Sequence, residues 1–451
     1  MDYDVIIVGA GGAGLAAAVA ATTAGARVLV LEAGRRPGWS TAMSGGVVWA
    51  AGTALQRAEG IDDNAAAQAA YYLTLNQYKV DPALIRRLCE GSAPVVEWLV
   101  SLGVTFPASN LYVSGVDGIR RGHRATRHGA EIAEALEGAL AGRSVDVACA
   151  TRVEGLIVAD GRVAGVIAGG ERVTAGAVVI ATGGFGNNRE MIASLYPTAA
   201  RQGALAWYIG AETARGDGIR MGAAAGADVV GHDRGLLLLT PGFSRDLEPY
   251  LPPWLIHVNH EGRRFIDEAI EYSVLAEVVG GQTAGECFAV FDEAARAAAK
   301  AVPAPGWAAD RLAHWADAGA LTRAPTLAAL AEALGIRAAA LEETARRVSA
   351  DARAGADTAF FKEAAHLRPI ETPPFYGARI RPAVVCWTGA GLRIDAEARV
   401  LDAAGQPVPG LYAAGETTGG MFGPCYAGGG ASILNALVFG RIAGRGAAGL
   451  R

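Results

Sequence analysis

Charge is scarce in this chain. Lysine, arginine, aspartate and glutamate make up 19% of 451 residues, and the net charge is -5. A nucleic-acid binder needs a basic footprint, so that class is excluded. Paired cysteines are missing as well. Cys89, Cys149, Cys287, Cys386 and Cys425 are scattered without C-x-x-C spacing. That argues against a zinc site, an iron–sulfur cluster or a disulfide framework, and it suits a reducing cytoplasm. The apolar N-terminal run has no basic flank; acids precede it and glycines interrupt it, so neither a signal peptide nor a membrane helix is expected. His123 and His128, in GHRATRHG, have no carboxylate set nearby, and no metal is expected. No fixed-period repeat is present. What the chain does have is apolar residue, at 51%, and enough length for two to three domain-sized units.

Residues 4–8, DVIIV, read as a buried parallel strand. GAGGAG follows, with Gly9, Gly11 and Gly14 in G-x-G-x-x-G spacing and Gly12 and Ala13 between them. Leu15 to Thr23 reads as a helix, and RVLVLEAG as a second strand ending at Glu32 and Ala33. The first glycine permits a tight turn, the second lets backbone approach a pyrophosphate, and the third lets helix pack on strand. The helix N-terminus faces the anion, and Glu32 can reach a ribose diol. That pattern is a dinucleotide site. It does not by itself choose FAD over NAD, but three more segments favour FAD. STAMSGG offers Ser40, Thr41, Ser44, Gly45 and Gly46. VVIATGGFG is an apolar strand leading to Ala181, Thr182 and Gly183, and GLYAAGETTGG is another, ending at Gly415 and Glu416. Val153, Asp217, Ala431, Ser432 and Ile433 complete the expected cofactor contacts.

Helices are expected over most of 81–142, and a β-meander over 151–180 with ADGR as its hairpin turn. GDGIRMG opens a helix with Asp217 near its start. From about residue 236 the proline-rich LLLLTPGFSRDLEPYLPPW reads as a crossover, and 284–365 as alternating helices. The expected architecture is α/β: a Rossmann-like FAD-binding domain in two pieces, 1–235 and 380–451, with an inserted α+β cap over 236–379.

The landmarks GAGGAG, STAMSGG, VVIATGGFG, GDGIRMG, VNHEGRRFIDE and GLYAAGETTGG, in this order along the whole length, resemble the fumarate reductase/succinate dehydrogenase flavoprotein superfamily. Trp39, not histidine, precedes Ser40, so non-covalent FAD is expected. Fumarate reductases carry three cationic or ionisable site residues that are absent here: an arginine proton donor after GxRF, a histidine before a glycine pair, and a substrate arginine in the late glycine-rich segment. Tyr272, Trp387 and Tyr426 stand in those places. A dicarboxylate would be left unpaired there.

The remaining pattern resembles the 3-ketosteroid Δ1-dehydrogenase branch, through FIDEAIEYS, STAMSGGVVW and YAGGG. The resemblance implies a dehydrogenase that introduces a C=C bond α,β to the carbonyl of a cyclic ketone. Tyr426 and the Gly430 backbone N–H would polarise the ketone, and Tyr272, helped by Tyr112, would take the α proton. Glycines 428–430 are expected to let substrate and flavin approach the backbone. Trp387 is a candidate substrate wall, and Arg121 or Arg381 a partner for a substrate carboxylate. The chain is shorter than steroid dehydrogenases of this branch, which favours a small cyclic keto acid such as 4-oxocyclohexanecarboxylate. A 3-ketosteroid, or an alkene reductase of the fumarate or urocanate type, remains the alternative. Oxygen or a quinone is the expected electron acceptor. Plainer readings stay open: Tyr272, Tyr426 and Trp387 as core residues, and Arg263 and Arg264 as a solvated pair.

Overall fold

The structure, a computed structural model, describes residues 1–243, 251–302 and 304–449. Two compact units emerge: residues 1–201, 210–236 and 385–451, and residues 202–209 and 237–384.

In the first unit, strands run across an eight-stranded sheet in the order Arg399–Leu401, Pro407–Ala413, Glu171–Ile180, Tyr3–Val8, Val28–Leu31, Val145–Ala148. Val153–Ala159 and Arg162–Ala168 join the third of these as an antiparallel meander. Its hairpin turn has positive φ at Asp160 (51°) and Gly161 (72°), the combination that matches strand twist in a two-residue turn. The central strands are parallel and buried on both faces, which is why they read as unbroken apolar runs. Register then sets the site. Val8 lies opposite both Leu31 and Ile180, and Ala413 opposite Ile180. The residues that follow, Gly9, Glu32, Ala181 and Ala414, therefore leave the sheet side by side at one edge.

Helix Gly12–Thr23 packs on helix Ala431–Ala448 through small residues. Gly440 and Gly444, one turn apart, set bare Cα atoms against the carbonyl oxygens of Ala13 and Ala17, where any Cβ would collide. STAMSGG folds partly as a short helix, Trp39–Met43. Beyond it, Val47–Trp49, Gly122–Arg124 and Leu111–Tyr112 form a small antiparallel sheet.

The second unit is built on strand Phe375–Thr388, which pairs with Cys287–Asp292 and Thr322–Ala324; Ile256–Val258 pairs in turn with Cys287–Asp292. Strands Cys287–Asp292 and Thr322–Ala324 stand among the alternating helices expected over 284–365. CFAVFD alternates between two cores: Cys287, Ala289 and Phe291 face helices Tyr272–Gly280 and Ala309–Asp317, whereas Phe288 and Val290 face Leu327–Leu334 and Ala338–Ala354. Residues 244–250, part of the expected crossover, lie outside the described residues. Arg264 is not solvated. It is 6% exposed and forks onto Glu268 (2.9 and 2.8 Å) and Asp357 (3.2 and 3.0 Å). Lys362 Nζ reaches the same Glu268 at 2.9 Å. Arg263 is exposed, as expected of a solvated residue.

Candidate active site

The sheet edge gathers the dinucleotide residues. The Cα of Gly9 abuts the Ala181 carbonyl and that of Gly14 abuts the Gly9 carbonyl, so a side chain at either would close the turn. The Cβ direction of Gly11 meets nothing within 4 Å; this face of the turn is bare backbone at a helix N-terminus. Gly12 N–H donates to Thr41 Oγ1 at 3.0 Å, which brings STAMSGG onto the turn. Glu32, 5% exposed, accepts from the N–H groups of Ala10 (2.8 Å) and Gly34 (2.6 Å), with Ala33 between strand and loop. Gly415 presses on Ala13, and Thr182 Oγ1 lies 3.5 Å from Thr417 Oγ1. Glu416 accepts from the N–H (2.9 Å) and hydroxyl (2.8 Å) of Thr388. Thr388 also takes the Phe185 N–H at 3.2 Å, and so ties the turn after Gly183 to the last strand. Sequence reasoning missed Thr388; it lies 28 residues from Glu416 and no motif marks it.

Other expected contacts sit around this edge. Ser40 Oγ accepts from Ala211 N–H (2.9 Å), Ser44 Oγ donates to Thr41 O (2.6 Å), and Gly46 N–H donates to Ser44 Oγ (3.2 Å). Gly45 O lies 3.3 Å from His128 Nδ1. Val153 pairs with Ala168. Asp217 is held between Arg152 and Arg220. Both ring nitrogens of buried His123 are engaged, by Thr53 Oγ1 (2.8 Å) and Arg121 O (2.9 Å), and burial holds its pKa below the ordinary histidine value. Among the described residues no cluster of metal-ligating side chains forms.

The second grouping in this unit centres on Tyr426. Its hydroxyl accepts the Ser432 N–H at 2.8 Å and donates to Ser432 Oγ at 2.9 Å. Ser432 is in the first turn of helix Ala431–Ala448, with Ala431 and Ile433 buried beside it. The phenol thus meets the positive end of a helix. Its ring stacks on Phe422 at 5.2 Å, and Phe422 meets Trp387 edge-on at 4.1 Å. Phe422, which sequence reasoning missed, joins Tyr426 to Trp387 in one aromatic wall.

The glycines have a different neighbour from the one expected. A Cβ on Gly428 would lie 2.8 Å from Ser114 O and 2.9 Å from Trp49 Nε1; one on Gly430, at φ 99°, would lie 2.6 Å from Val47 O. At these two positions the missing side chains admit the protein's own small sheet. Ser114 Oγ also donates to Gly429 O at 3.1 Å, and Tyr71 hydroxyl to Ala427 O at 3.0 Å. Tyr112 lies on that sheet, under the guanidinium of Arg124 at 4.8 Å and over Gly122. Arg121 is 2% exposed, and its guanidinium is committed to Asp63 (2.8 and 3.0 Å) and Asp117 (2.6 Å).

Tyr272 and Arg381 belong to the second unit. Tyr272 is the first residue of helix Tyr272–Gly280, directly after the N-cap Glu271. Glu271 accepts Ser273 N–H at 2.7 Å, and burial pushes its pKa up to about 7. Arg381 binds Glu286 at 2.7 Å beside Arg379 (3.0 Å) and His260 (3.1 Å).

A family model described as FAD binding domain matches residues 4–433. The chain belongs to this family of fumarate reductase/succinate dehydrogenase-type flavoproteins. It is similar to fumarate reductase (cytochrome) of Shewanella frigidimarina, 31% identical over 99% of this chain and 77% of that protein. It is 32% identical to 4-oxocyclohex-2-ene-1-carboxylate 5-dehydrogenase of Sinomonas cyclohexanicum, over 63% of this chain and 54% of that protein. Among solved structures, 3-ketosteroid-delta4-(5alpha)-dehydrogenase from Rhodococcus jostii RHA1 superposes with a TM-score of 0.79 at 28% identity, covering 99% of this chain and 96% of that one. This flavoprotein is an FAD-dependent oxidoreductase. Its residues fit the cofactor. The open backbone at Gly11 and the unblocked helix start suit the pyrophosphate. No described helix is long and apolar enough to cross a membrane.

Proposed function

We propose that this flavoprotein is a dehydrogenase that introduces a C=C bond α,β to the carbonyl of a small cyclic keto acid of the 4-oxocyclohexanecarboxylate type. The observation that carries this reading is the setting of Tyr426. Its oxygen accepts the Ser432 N–H at the N-terminus of a helix, and an accepted hydrogen bond at the positive end of a dipole makes the phenol O–H a stronger donor. The phenol O–H, which donates to Ser432 Oγ at 2.9 Å, would turn from that oxygen to a ketone oxygen when substrate binds. Tyr426 and the N–H of Gly430 then polarise the carbonyl, and negative charge develops on its oxygen as the α proton leaves. Tyr272, as a phenolate whose own proton has been lost with the help of Tyr112, receives that proton and becomes the neutral phenol. Bound FAD, held non-covalently, supplies the sink for the hydride from the β carbon, so two electrons and one proton leave with it. Oxygen or a quinone removes those electrons, and a cytoplasmic setting completes the reading. The first unit is assigned to FAD and the second to the substrate cap. Trp387 and Phe422 serve as an apolar wall for a ring. Arg121 is buried and matched by two carboxylates, whereas Arg381 shares the single carboxylate of Glu286 with Arg379, which makes Arg381 the better candidate for a substrate carboxylate.

A second reading rests on the full-length similarity to a fumarate reductase: reduction of an activated alkene. The test separates them. Under anaerobic conditions, 4-oxocyclohexanecarboxylate is expected to bleach the oxidised flavin. A 3-ketosteroid doing so instead would move the substrate class, and reoxidation of the reduced flavin by fumarate or urocanate, with no bleaching by either ketone, would establish the reductase. Tyr426→Phe is expected to slow bleaching roughly 100- to 1,000-fold while the flavin spectrum is unchanged; an unaltered rate would remove Tyr426 from the chemistry.

A further inference from the structure

A second cationic cleft lies in the first unit, where helix Pro82–Glu90 ends and helix Ser92–Ser101 begins against the side of Ala431–Ala448. Gly91 is both the C-cap of the first of these helices and the N-cap of the next. Its Cα sits on Val438, where a Cβ would lie 2.7 Å from the valine methyl. This close approach shapes a cleft of about 180 Å³ lined by Arg87, Glu90, Val95, Arg441 and Arg445. Three guanidinium groups face one carboxylate there.

These arginines are not spent on the fold. Among the described residues none of the three makes an ion pair or a side-chain hydrogen bond. Arg87 Nε is buried with no hydrogen-bond partner. A buried donor left unmade is costly, and native structures satisfy such groups with protein, water or ligand. Arg441 is held with its guanidinium 4.6 Å from the centroid of Trp98. Its pKa is depressed by burial and by the charge of Arg445. The cleft therefore holds cations that repel one another. The start of helix Ser92–Ser101 adds to them: it has no side-chain cap and no acid in its first turn, so its partial positive charge is uncompensated.

We propose that this cleft binds a phosphate group, either as inorganic phosphate or as a phosphate monoester. Planar guanidinium groups match the oxygens of a phosphate in pairs, and the volume accepts one such group but not a nucleotide. The residues lining this cleft are separate from those of the dinucleotide edge.

The test uses FAD-loaded protein and calorimetric melting in sodium phosphate, in glycerol 3-phosphate and in sodium chloride of equal ionic strength. A saturable rise of Tm with either phosphate, and none with chloride, is expected. Arg445 is exposed, so Arg445→Gln should fold; it is expected to weaken the apparent affinity roughly tenfold. Glu90→Gln removes the one opposing charge and is expected to tighten binding. Comparison of the two phosphate arms tells whether the free ion or the ester is preferred. No saturable rise in the wild type, or the same rise in Arg445→Gln as in the wild type, would overturn the proposal.

Discussion

At the scale of single residues, the ionisable group to probe is Glu271. Burial raises its pKa from 4.5 to about 7, against the smaller opposing effect of the Ser273 N–H. Below pH 4.5 the carboxyl is neutral in folded and unfolded chains alike, and burial carries no penalty. Between pH 4.5 and 7 the unfolded carboxyl ionises while the native one resists, so stability falls with rising pH; above 7 the penalty is constant. Glu271→Gln keeps an acceptor for Ser273 and cannot ionise. It is expected to stabilise the protein by about 1–3 kcal/mol at pH 8 and by nothing at pH 4, read from denaturant midpoints at the two pH values. Equal effects at both would show that burial of charge is not the cause. Residues next to a glycine pattern were legible at this scale: Gly9, Gly14 and Tyr426 announce close approach. The partner of that approach was not. The glycines after Tyr426 meet Val47, Trp49 and Ser114, more than 300 residues away in sequence, and no local pattern carries such a separation.

At the scale of elements, the parallel strands were legible because each is an apolar run followed by its own turn, and their register does the rest. The cap sheet was not, since CFAVFD is a short apolar run that periodicity cannot separate from a buried helix segment. The packing of helix Gly12–Thr23 on Ala431–Ala448 gives a sharp test. Gly444 has the carbonyl of Ala17 where a Cβ would stand, in an interface of backbone and small side chains that cannot yield locally. Gly444→Val is expected to cost on the order of 2–4 kcal/mol. Because Ala13 rests on Gly440 and belongs to the dinucleotide turn, the displaced helix should also hold FAD more weakly. The measurement is flavin fluorescence released on dilution, beside the melting curve. A variant that melts early but retains flavin as the wild type does would uncouple the interface from the turn.

Across the whole molecule the two units differ in what holds them. The first is ordered around an edge that takes a cofactor. The second has a sheet with a core on each face and a buried set of charges, Arg264, Glu268, Asp357 and Lys362. Arg264 and Asp357 are 93 residues apart, so this set was beyond reach of motif reading, although Arg264 itself lies in the family motif. Replacing one member leaves the others in a dry interior, at a cost of about 3–5 kcal/mol. Glu268 is the shared acceptor for Arg264 and Lys362, and His257 N–H also donates to it at 3.0 Å. Units with separate cores need not melt as one. Glu268→Gln is expected to lower the transition that flavin does not report, while thermal release of flavin stays near its wild-type temperature. Stripping FAD should do the reverse, since a ligand stabilises only the state that binds it. If both changes moved both transitions equally, the two cores would melt as one cooperative body, and the expectation of separate transitions would fail.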